Sequence, residues 1–190
     1  MKAWGQANRG RPFEQLIEMA NTQYRNKKIA VIHKVPTAWI PLRDGRGRIV
    51  SAKVEEKAAV DFLGSYCGQS LAFDAKHCSD ERIRWDRVED HQAQFLEDWE
   101  QDGGISFVLV SFKMNRYFVV PWSVWKERYF EWKYKKGMAS ISLKKMQQRW
   151  EVLQGSSRAV IDYLSTVDKL LKEGEICPGV RENGKNTAVK

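Results

Sequence analysis

The sequence predicts an α/β fold in which a mixed central sheet is flanked by helices and carries a protruding arm. Two observations support this prediction. Helical and strand-like segments follow one another in the order helix, strands, helix, strands, helix. The near-continuous apolar run "ISFVLVSF" at residues 105–112 is typical of a strand inside a sheet. With 190 residues, the chain can bury one sizeable core, so we expect a single domain over residues 1–172 and a flexible tail over 173–190.

The first half of the chain predicts a helix, a strand, the arm and a hairpin. Apolar residues recur at helical spacing from Pro12 to Arg25, and Pro12 suits the first helical turn. The run "IAVIH" at residues 29–33 predicts a buried strand. Residues 43–59 contain glycine and many charges without clear periodicity, which predicts a surface loop or arm. Residues 60–78 then predict a hairpin that closes between Gly64 and Ser70.

The second half predicts three more helices around a pair of strands. One helix is expected from about Asp86 to Gln101. The strands at 105–112 and 117–120 follow it, and Ser123 is expected to cap a helix that runs to about Lys135. Residues 159–171 predict the last helix.

Composition excludes several classes of protein. The N-terminal stretch "MKAWGQANRGRPFEQ" has no apolar region typical of a secretory signal, and no run approaches the roughly 18 apolar residues of a membrane span. The three cysteines lack the C-x-x-C spacing of zinc sites and are odd in number. We therefore expect a cytoplasmic protein. The common motifs of nucleotide-binding loops, serine hydrolases and zinc proteases do not occur.

The positive charge is concentrated in one segment. The net charge is +8, and residues 113–149 hold ten basic and only two acidic side chains. Such a segment favours a polyanion, either nucleic acid or an anionic membrane surface, although a solvated helix face is the simpler alternative. The aromatic side chains of the tryptophan-rich stretch Trp122–Trp132 could either form contacts between the two chains of a dimer or pack in the hydrophobic core.

The hairpin at residues 60–78 contains acidic residues where core strands rarely have them. Strand alternation puts Asp74 and Lys76 on one face, and the hairpin brings Asp61 roughly opposite Asp74. Two neighbouring carboxylates repel each other unless a cation or proton lies between them, and Mg²⁺ is usually held by one or two carboxylates. Gln92 is expected to face inward from its helix and to offer a further oxygen ligand.

Each of these residues also has a simpler interpretation. The aspartates are alternatively hairpin-edge residues, with Asp74 and Lys76 forming a surface ion pair of little energy. Gln92 is alternatively a satisfied buried amide. The three histidines, His33, His77 and His91, lack metal-site spacing and are expected to be structural or exposed to solvent.

The pattern Asp61…Asp74-Ala75-Lys76 resembles the restriction-endonuclease-like nuclease core, and more narrowly the RecU-type Holliday-junction resolvases. The stretches that carry the resemblance keep the family's order over about residues 8–171: "NRG", "IAVIHKVPT", "VDFLG", "AFDAK", "DHQ", "GGISFVLVSF" and "IDYLSTVDKL". The resemblance implies a restriction-endonuclease-like mixed sheet and a homodimeric endonuclease that resolves four-way junction DNA by paired nicks. It also implies that the arm at about residues 40–59 is the family's stalk.

The resemblance assigns roles to individual residues. Asp61, Asp74 and Gln92 would be ligands of Mg²⁺, for which Mn²⁺ is a substitute. Lys76 would stabilise the transition state, and Glu14, which follows "NRG", would join the catalytic group. The expected DNA contacts are the basic residues Arg9, Arg11, Lys34, Arg43, Arg46, Arg48, Lys53 and Lys57.

Two positions depart from the family pattern. Asp74 stands where the family usually has glutamate, and Ala59 stands where it has a threonine that also serves the metal. These departures leave two alternatives open: a non-catalytic junction-binding protein, or a nuclease of the same fold with another DNA target.

Overall fold

The structure, a computed structural model, describes residues 10–176, without the side chains of residues 54–56. Arg9 and most of the expected C-terminal tail therefore lie outside the described residues. The elements in chain order are α1 (Arg11–Asn26), β1 (Ala30–Lys34), β2 (Ala38–Arg43), β3 (Ile49–Glu56), β4 (Phe62–Tyr66), β5 (Gln69–Cys78), β6 (Arg82–Arg84), α2 (Asp90–Gln101), β7 (Ile105–Phe112), β8 (Arg116–Pro121), α3 (Trp122–Lys135), β9 (Ser140–Ser142), α4 (Leu143–Gln147), β10 (Leu153–Gln154), β11 (Ile161–Asp162) and α5 (Tyr163–Lys172).

The main sheet has five strands in the order β1-β4-β5-β7-β8. The β5–β7 pair is parallel, and the other three pairs are antiparallel. A parallel pair needs a long crossover, and α2 lies in the segment that connects β5 to β7. The mixed sheet with flanking helices confirms the predicted fold class.

The core lies on both faces of this sheet. All eight residues of β7 are buried, as expected for a strand with helices above and below it. On one face, the rings of Phe73 and Phe107 pack against Tyr163 of α5. On the other face, Gln92 of α2 contacts Asp74. Alternation along β5 thus directs Phe73 toward the apolar core and Asp74 toward α2.

The predicted hairpin forms, with its turn at Cys67 and Gly68, both of which have positive φ. Gly64 does not belong to this turn but lies within β4. A Cβ atom at Gly64 would come within 2.3 Å of the Val31 carbonyl oxygen, so the close approach of β1 requires glycine there.

The arm is a two-stranded β-hairpin, more ordered than the loop that its sequence suggests. Strands β2 and β3 pair from Ala38–Glu56 to Arg43–Ile49, with Asp44 accepting hydrogen bonds from the backbone N–H groups of Arg46 and Arg48 in the turn. Its large apolar side chains are exposed: Trp39, Leu42, Ile49 and Val50. The arm therefore contributes little to the core.

Three helix starts differ from the sequence prediction, because local hydrogen bonds compete with apolar spacing. Residues Trp85–Arg87 form a 3₁₀ turn, and α2 begins only at Asp90, after Glu89 closes a capping box with Gln92. Helix α3 begins at Trp122, directly after Pro121, so Ser123 is not its cap. Helix α5 begins at Tyr163, because residues 161–162 pair with β10.

Two further elements within the basic segment were not predicted. Strand β9 pairs with β6, some 58 residues away, and the short helix α4 follows it. In the part of the chain that the structure describes, no helix has the length and apolar character needed to cross a bilayer.

Candidate active site

Asp74 is the centre of the site and is fully buried on β5. Its Oδ1 accepts a hydrogen bond of 2.6 Å from Nε2 of Gln92. Its Oδ2 lies 2.5 Å from Nζ of Lys76, an ion pair in which Oδ2 has no hydrogen bond of good geometry. Strand alternation thus brings Asp74 and Lys76 together, as predicted, because they point to the same face two residues apart.

Asp61 lies beside Asp74 at the start of the hairpin. The register pairs Phe62 with Phe73, so one further step places Asp61 opposite Asp74. Oδ2 of Asp61 accepts a 2.8 Å hydrogen bond from the backbone N–H of Ala75, which fixes this carboxylate against β5. The predicted pairing of the two aspartates is therefore present.

Burial raises the pKa of Asp74 well above its usual range, because its charged form loses contact with water. The Lys76 ammonium counteracts this effect, and the nearby Asp61 carboxylate adds to it. The site therefore favours a cation or a proton beside Asp74.

Gln92 faces inward, as predicted, and joins the other groups into a ring of hydrogen bonds. Its carbonyl oxygen accepts from Nζ of Lys76 at 3.0 Å and from the backbone N–H of Glu89 at 3.2 Å. Its amide nitrogen, not its carbonyl oxygen, faces Asp74. Its expected role as a metal ligand stays a prediction, and it requires the carbonyl to turn away from these two donors.

The site opens into a cleft of about 590 Å³. Among the side chains that line it, three are acidic and two are basic: Glu14, Asp61 and Asp80, and Lys76 and Arg87. Within residues 10–176 no group of three or more histidine, cysteine or acidic side chains could hold a metal ion. Asp61 lines this cleft, and the buried Asp74 lies directly behind it on β5, so these two neighbouring carboxylates are the pair that could hold a cation, with waters and substrate oxygens completing its shell.

Glu14 of α1 lines the same cleft, and Lys34 of β1 is paired with it. Nζ of Lys34 lies 2.7 Å from Glu14 and 3.5 Å from Glu18. The hydrogen bond to Glu14 raises the pKa of Lys34. Much of the Lys34 charge is therefore neutralised within the protein, which weakens its case as a phosphate contact.

The other predicted DNA contacts lie apart from the hydrogen-bonded group of Asp74, Lys76 and Gln92. Arg11 is exposed at the start of α1, one residue from Gly10 at the cleft, and Arg9 lies outside the described residues. Five contacts lie on or beside the arm: Arg43, Arg46, Arg48, Lys53 and Lys57. Arg48 pairs with Asp44, and Lys57 pairs with Glu89 at the start of α2, so the arm's base is joined to the helix that carries Gln92.

Three charged or titratable residues of the cleft, His77, Asp80 and Arg87, were missed by sequence reasoning. His77, which the sequence predicted to be structural or exposed to solvent, lines the cleft directly after Lys76. Burial lowers the pKa of its imidazole. Arg87 enters from the 3₁₀ turn and donates to the His77 carbonyl oxygen at 3.3 Å. No sequence pattern predicts the position of Arg87, because only the tertiary fold places the Trp85–Arg87 turn beside β5.

The mixed sheet, with Asp61 and Lys76 grouped around the buried Asp74 at the edge of a cleft, has the arrangement of the restriction-endonuclease-like nuclease class. The chain belongs to the RecU family, since the family model "Recombination protein U" matches residues 8–169.

Individual relatives agree with this membership. The Holliday junction resolvase RecU of Leuconostoc mesenteroides is 31% identical over 172 residues, covering 86% of this chain and 82% of that protein. The Holliday junction resolvase RecU of Streptococcus sanguinis is 30% identical over 178 residues, covering 90% and 87%. The solved structure of Archaeoglobus fulgidus Hjc, a Holliday junction resolvase, matches with a TM-score of 0.43 and 9% identity over 70% of this chain and 91% of that chain, a likeness too weak to support an argument.

Proposed function

We propose that this protein is a Mg²⁺-dependent endonuclease that resolves four-way DNA junctions by paired nicks and acts in the bacterial cytoplasm. The observation that carries the proposal is the buried Asp74, held between Lys76 and Gln92 and opposite Asp61. A buried carboxylate with a raised pKa in a cleft is typical of functional sites. Membership in a family whose relatives are named Holliday junction resolvases supports the choice of substrate.

The residues present fit a divalent cation. Asp61, directly before β4, and Asp74 on the neighbouring β5 supply hard oxygen atoms, and Oδ2 of Asp74 lacks a well-formed hydrogen bond. Mg²⁺ is commonly held by two carboxylates, waters and substrate phosphate, whereas Mn²⁺ accepts the same oxygen ligands. When bound, the ion would activate a water molecule and offset charge on the phosphate.

The chain's own residues prepare the site for phosphodiester hydrolysis. Lys76 is only slightly exposed, and its ammonium group is positioned by Asp74 and Gln92. We assign it the stabilisation of negative charge that develops on the phosphate oxygens. Asp61 is fixed by the Ala75 amide, so its carboxylate needs little reorganisation during the reaction. Glu14 of α1 also lines the cleft and is held by Lys34.

Resolution of a four-way junction requires two opposed cuts. Each chain contributes one site, so we infer a homodimer whose two-fold axis matches that of the junction. Light scattering is expected to give twice the chain mass of 22.1 kDa.

The test is cleavage of an end-labelled synthetic junction with Mg²⁺, with wild type beside Asp74→Asn. We expect paired symmetric nicks from wild type, and binding without cleavage from the variant, because the amide cannot serve as an anionic ligand. A duplex of the same sequence is the control for structure selectivity.

The two alternatives predict other outcomes. Junction binding without cleavage by wild type, in Mg²⁺ or Mn²⁺, would identify a non-catalytic binder, which is the outcome that Ala59 in place of threonine favours. Equal cleavage of duplex and junction would identify a nuclease with another target.

A further inference from the structure

The basic segment at residues 113–149 is separate from the catalytic cleft, which contains none of its residues. Five of its ten cations pair with carboxylates: Lys113 with Glu81, Arg116 with Glu151, Lys126 with Glu97, Arg128 with Glu131 and Arg149 with Glu175. The other five are exposed and have no carboxylate at ion-pair distance within residues 10–176: Lys133, Lys135, Lys136, Lys144 and Lys145. The charge excess therefore remains at the surface.

One of these unpaired cations, Lys145, lines a second cleft together with the paired Arg128 and Arg149, and we call it the α3–α4 cleft. It measures about 530 Å³, and its walls carry Arg128, Lys145 and Arg149. Trp85 and Trp150 form part of its base. Nε of Arg149 donates a 2.7 Å hydrogen bond to Glu175, which fixes the guanidinium group at the edge of the cleft. Lys144 is exposed on α4 beside Lys145.

The α3–α4 cleft lies next to the catalytic cleft. Trp85 lines the former and Arg87 lines the latter. Residues two apart in sequence have Cα atoms at most about 7 Å apart. The walls of the two clefts therefore meet along the Trp85–Arg87 turn.

The two clefts differ in the balance of acidic and basic side chains on their walls. The catalytic cleft has more acidic than basic side chains on its walls, which disfavours a polyanion unless cations elsewhere hold it. The α3–α4 cleft has three cations and one acidic side chain, Glu131, on its walls. Arg128 and Arg149 are paired with Glu131 and Glu175, so Lys145 and the adjacent Lys144 supply the unpaired positive charge. Lysine and arginine contacts to phosphates supply affinity without reading sequence.

We propose that the α3–α4 cleft, together with Lys144, binds the phosphate backbone of the duplex arm that leaves the catalytic cleft. This inference rests on the proposed function and adds a second DNA contact surface, separate from the arm and from the catalytic residues.

The test compares two double variants that remove the same charge. Lys144→Gln with Lys145→Gln changes the proposed surface, and Lys169→Gln with Lys172→Gln changes exposed lysines on α5. Affinity for a fluorescent four-way junction and for a duplex would be measured by anisotropy without divalent metal, between about 0.05 and 0.3 M salt. Circular dichroism and thermal unfolding would establish that both variants fold.

We expect the first variant to lose about tenfold or more in affinity at about 0.1 M salt, for junction and duplex alike. Its plot of log affinity against log salt should become less steep by about 2, one unit for each lost phosphate contact. The α5 variant should keep the wild-type slope. An unchanged slope in the first variant, or equal losses in both variants, would overturn the inference.

Two further results separate this inference from the proposed function. If wild type cleaves no DNA but binding depends on Lys144 and Lys145 in this way, the proposed function fails and the inference stands. If wild type resolves junctions and the lysine variant binds like wild type while losing only binding to anionic vesicles, the inference fails alone.

Discussion

Among single residues, Asp74 stands out because its carboxyl group is buried where the charged form is poorly solvated. The side chain is fully buried, and burial raises its pKa. Lys76 and Gln92 contact it directly and leave few other polar partners. A buried ion pair adds little net stability, and this favours the proposed role of Asp74 in binding a cation over a role in folding.

The hydrogen bonds of Gln92 are expected to stabilise the folded protein. In Gln92→Leu, Asp74 Oδ1 loses its donor and the capping box of α2 is broken. We expect a loss of about 1–3 kcal/mol in the free energy of unfolding, because a buried polar atom is left without a partner. Urea unfolding measures this change. Gln94→Leu on the exposed face of the same helix is the matched control and should shift stability by no more than about 0.5 kcal/mol. Equal losses in both variants would contradict the structural role of Gln92.

At the scale of elements, the arm combines weak attachment with exposed charge. Its base is held by the pair of Lys57 with Glu89, whereas its apolar side chains face solvent. Arg43 and Arg46 are exposed and make no ion pair with the described side chains. An element that contributes little to the core but carries cations is suited to binding a partner.

The strand pairing of the arm allows it to be shortened without disturbing its base. Pro41 lies opposite Ala52, so residues 42–51 can be replaced by Asn-Gly, a favoured two-residue hairpin turn. We expect the thermal midpoint to change little and junction cleavage to fall, because the shortened arm loses three arginines. A second variant, Arg43→Gln with Arg46→Gln and Arg48→Gln, separates lost charge from lost length. Unchanged junction binding and cleavage after shortening would contradict the predicted stalk role.

At the scale of the whole molecule, Asp162 joins the two ends of the fold. It accepts hydrogen bonds from Tyr24 of α1, from Ser156, and from both the hydroxyl and the backbone N–H of Ser165. Burial alone would raise the pKa of Asp162, but hydrogen bonds from Ser165, Ser156 and Tyr24 together lower it. The folded state therefore favours the carboxylate form.

This lowered pKa sets a direction for the pH dependence of stability. A carboxyl group whose pKa is lower in the folded state stabilises the protein above its unfolded pKa of about 3.9, and loses that contribution as the pH falls through the folded value. We expect Asp162→Asn to cost about 1–3 kcal/mol at neutral pH, with the difference from wild type narrowing as the pH falls from about 5 to 3. Urea unfolding at several pH values measures it, with exposed Asp98→Asn as the control. A difference that does not vary with pH would contradict the role of the charge.

The sequence alone determined the elements that depend on local pattern. The run "ISFVLVSF", with six apolar residues out of eight, predicted β7 with its bounds, because a near-continuous apolar run is typical of a strand that is buried on both faces. The period of two placed Asp74 and Lys76 on one face, and hairpin pairing placed Asp61 opposite Asp74. These predictions held because they depend only on backbone geometry.

Only the tertiary structure decided which distant residues meet. It brought Arg87 and His77 to the catalytic cleft, paired β9 with β6, and turned the Gln92 amide nitrogen toward Asp74. It also decided which cations of the basic segment pair with carboxylates and which remain at the surface. Sequence spacing contains no record of such contacts, because long-range pairing is selected by the packing of the whole chain and not by the preferences of neighbouring residues.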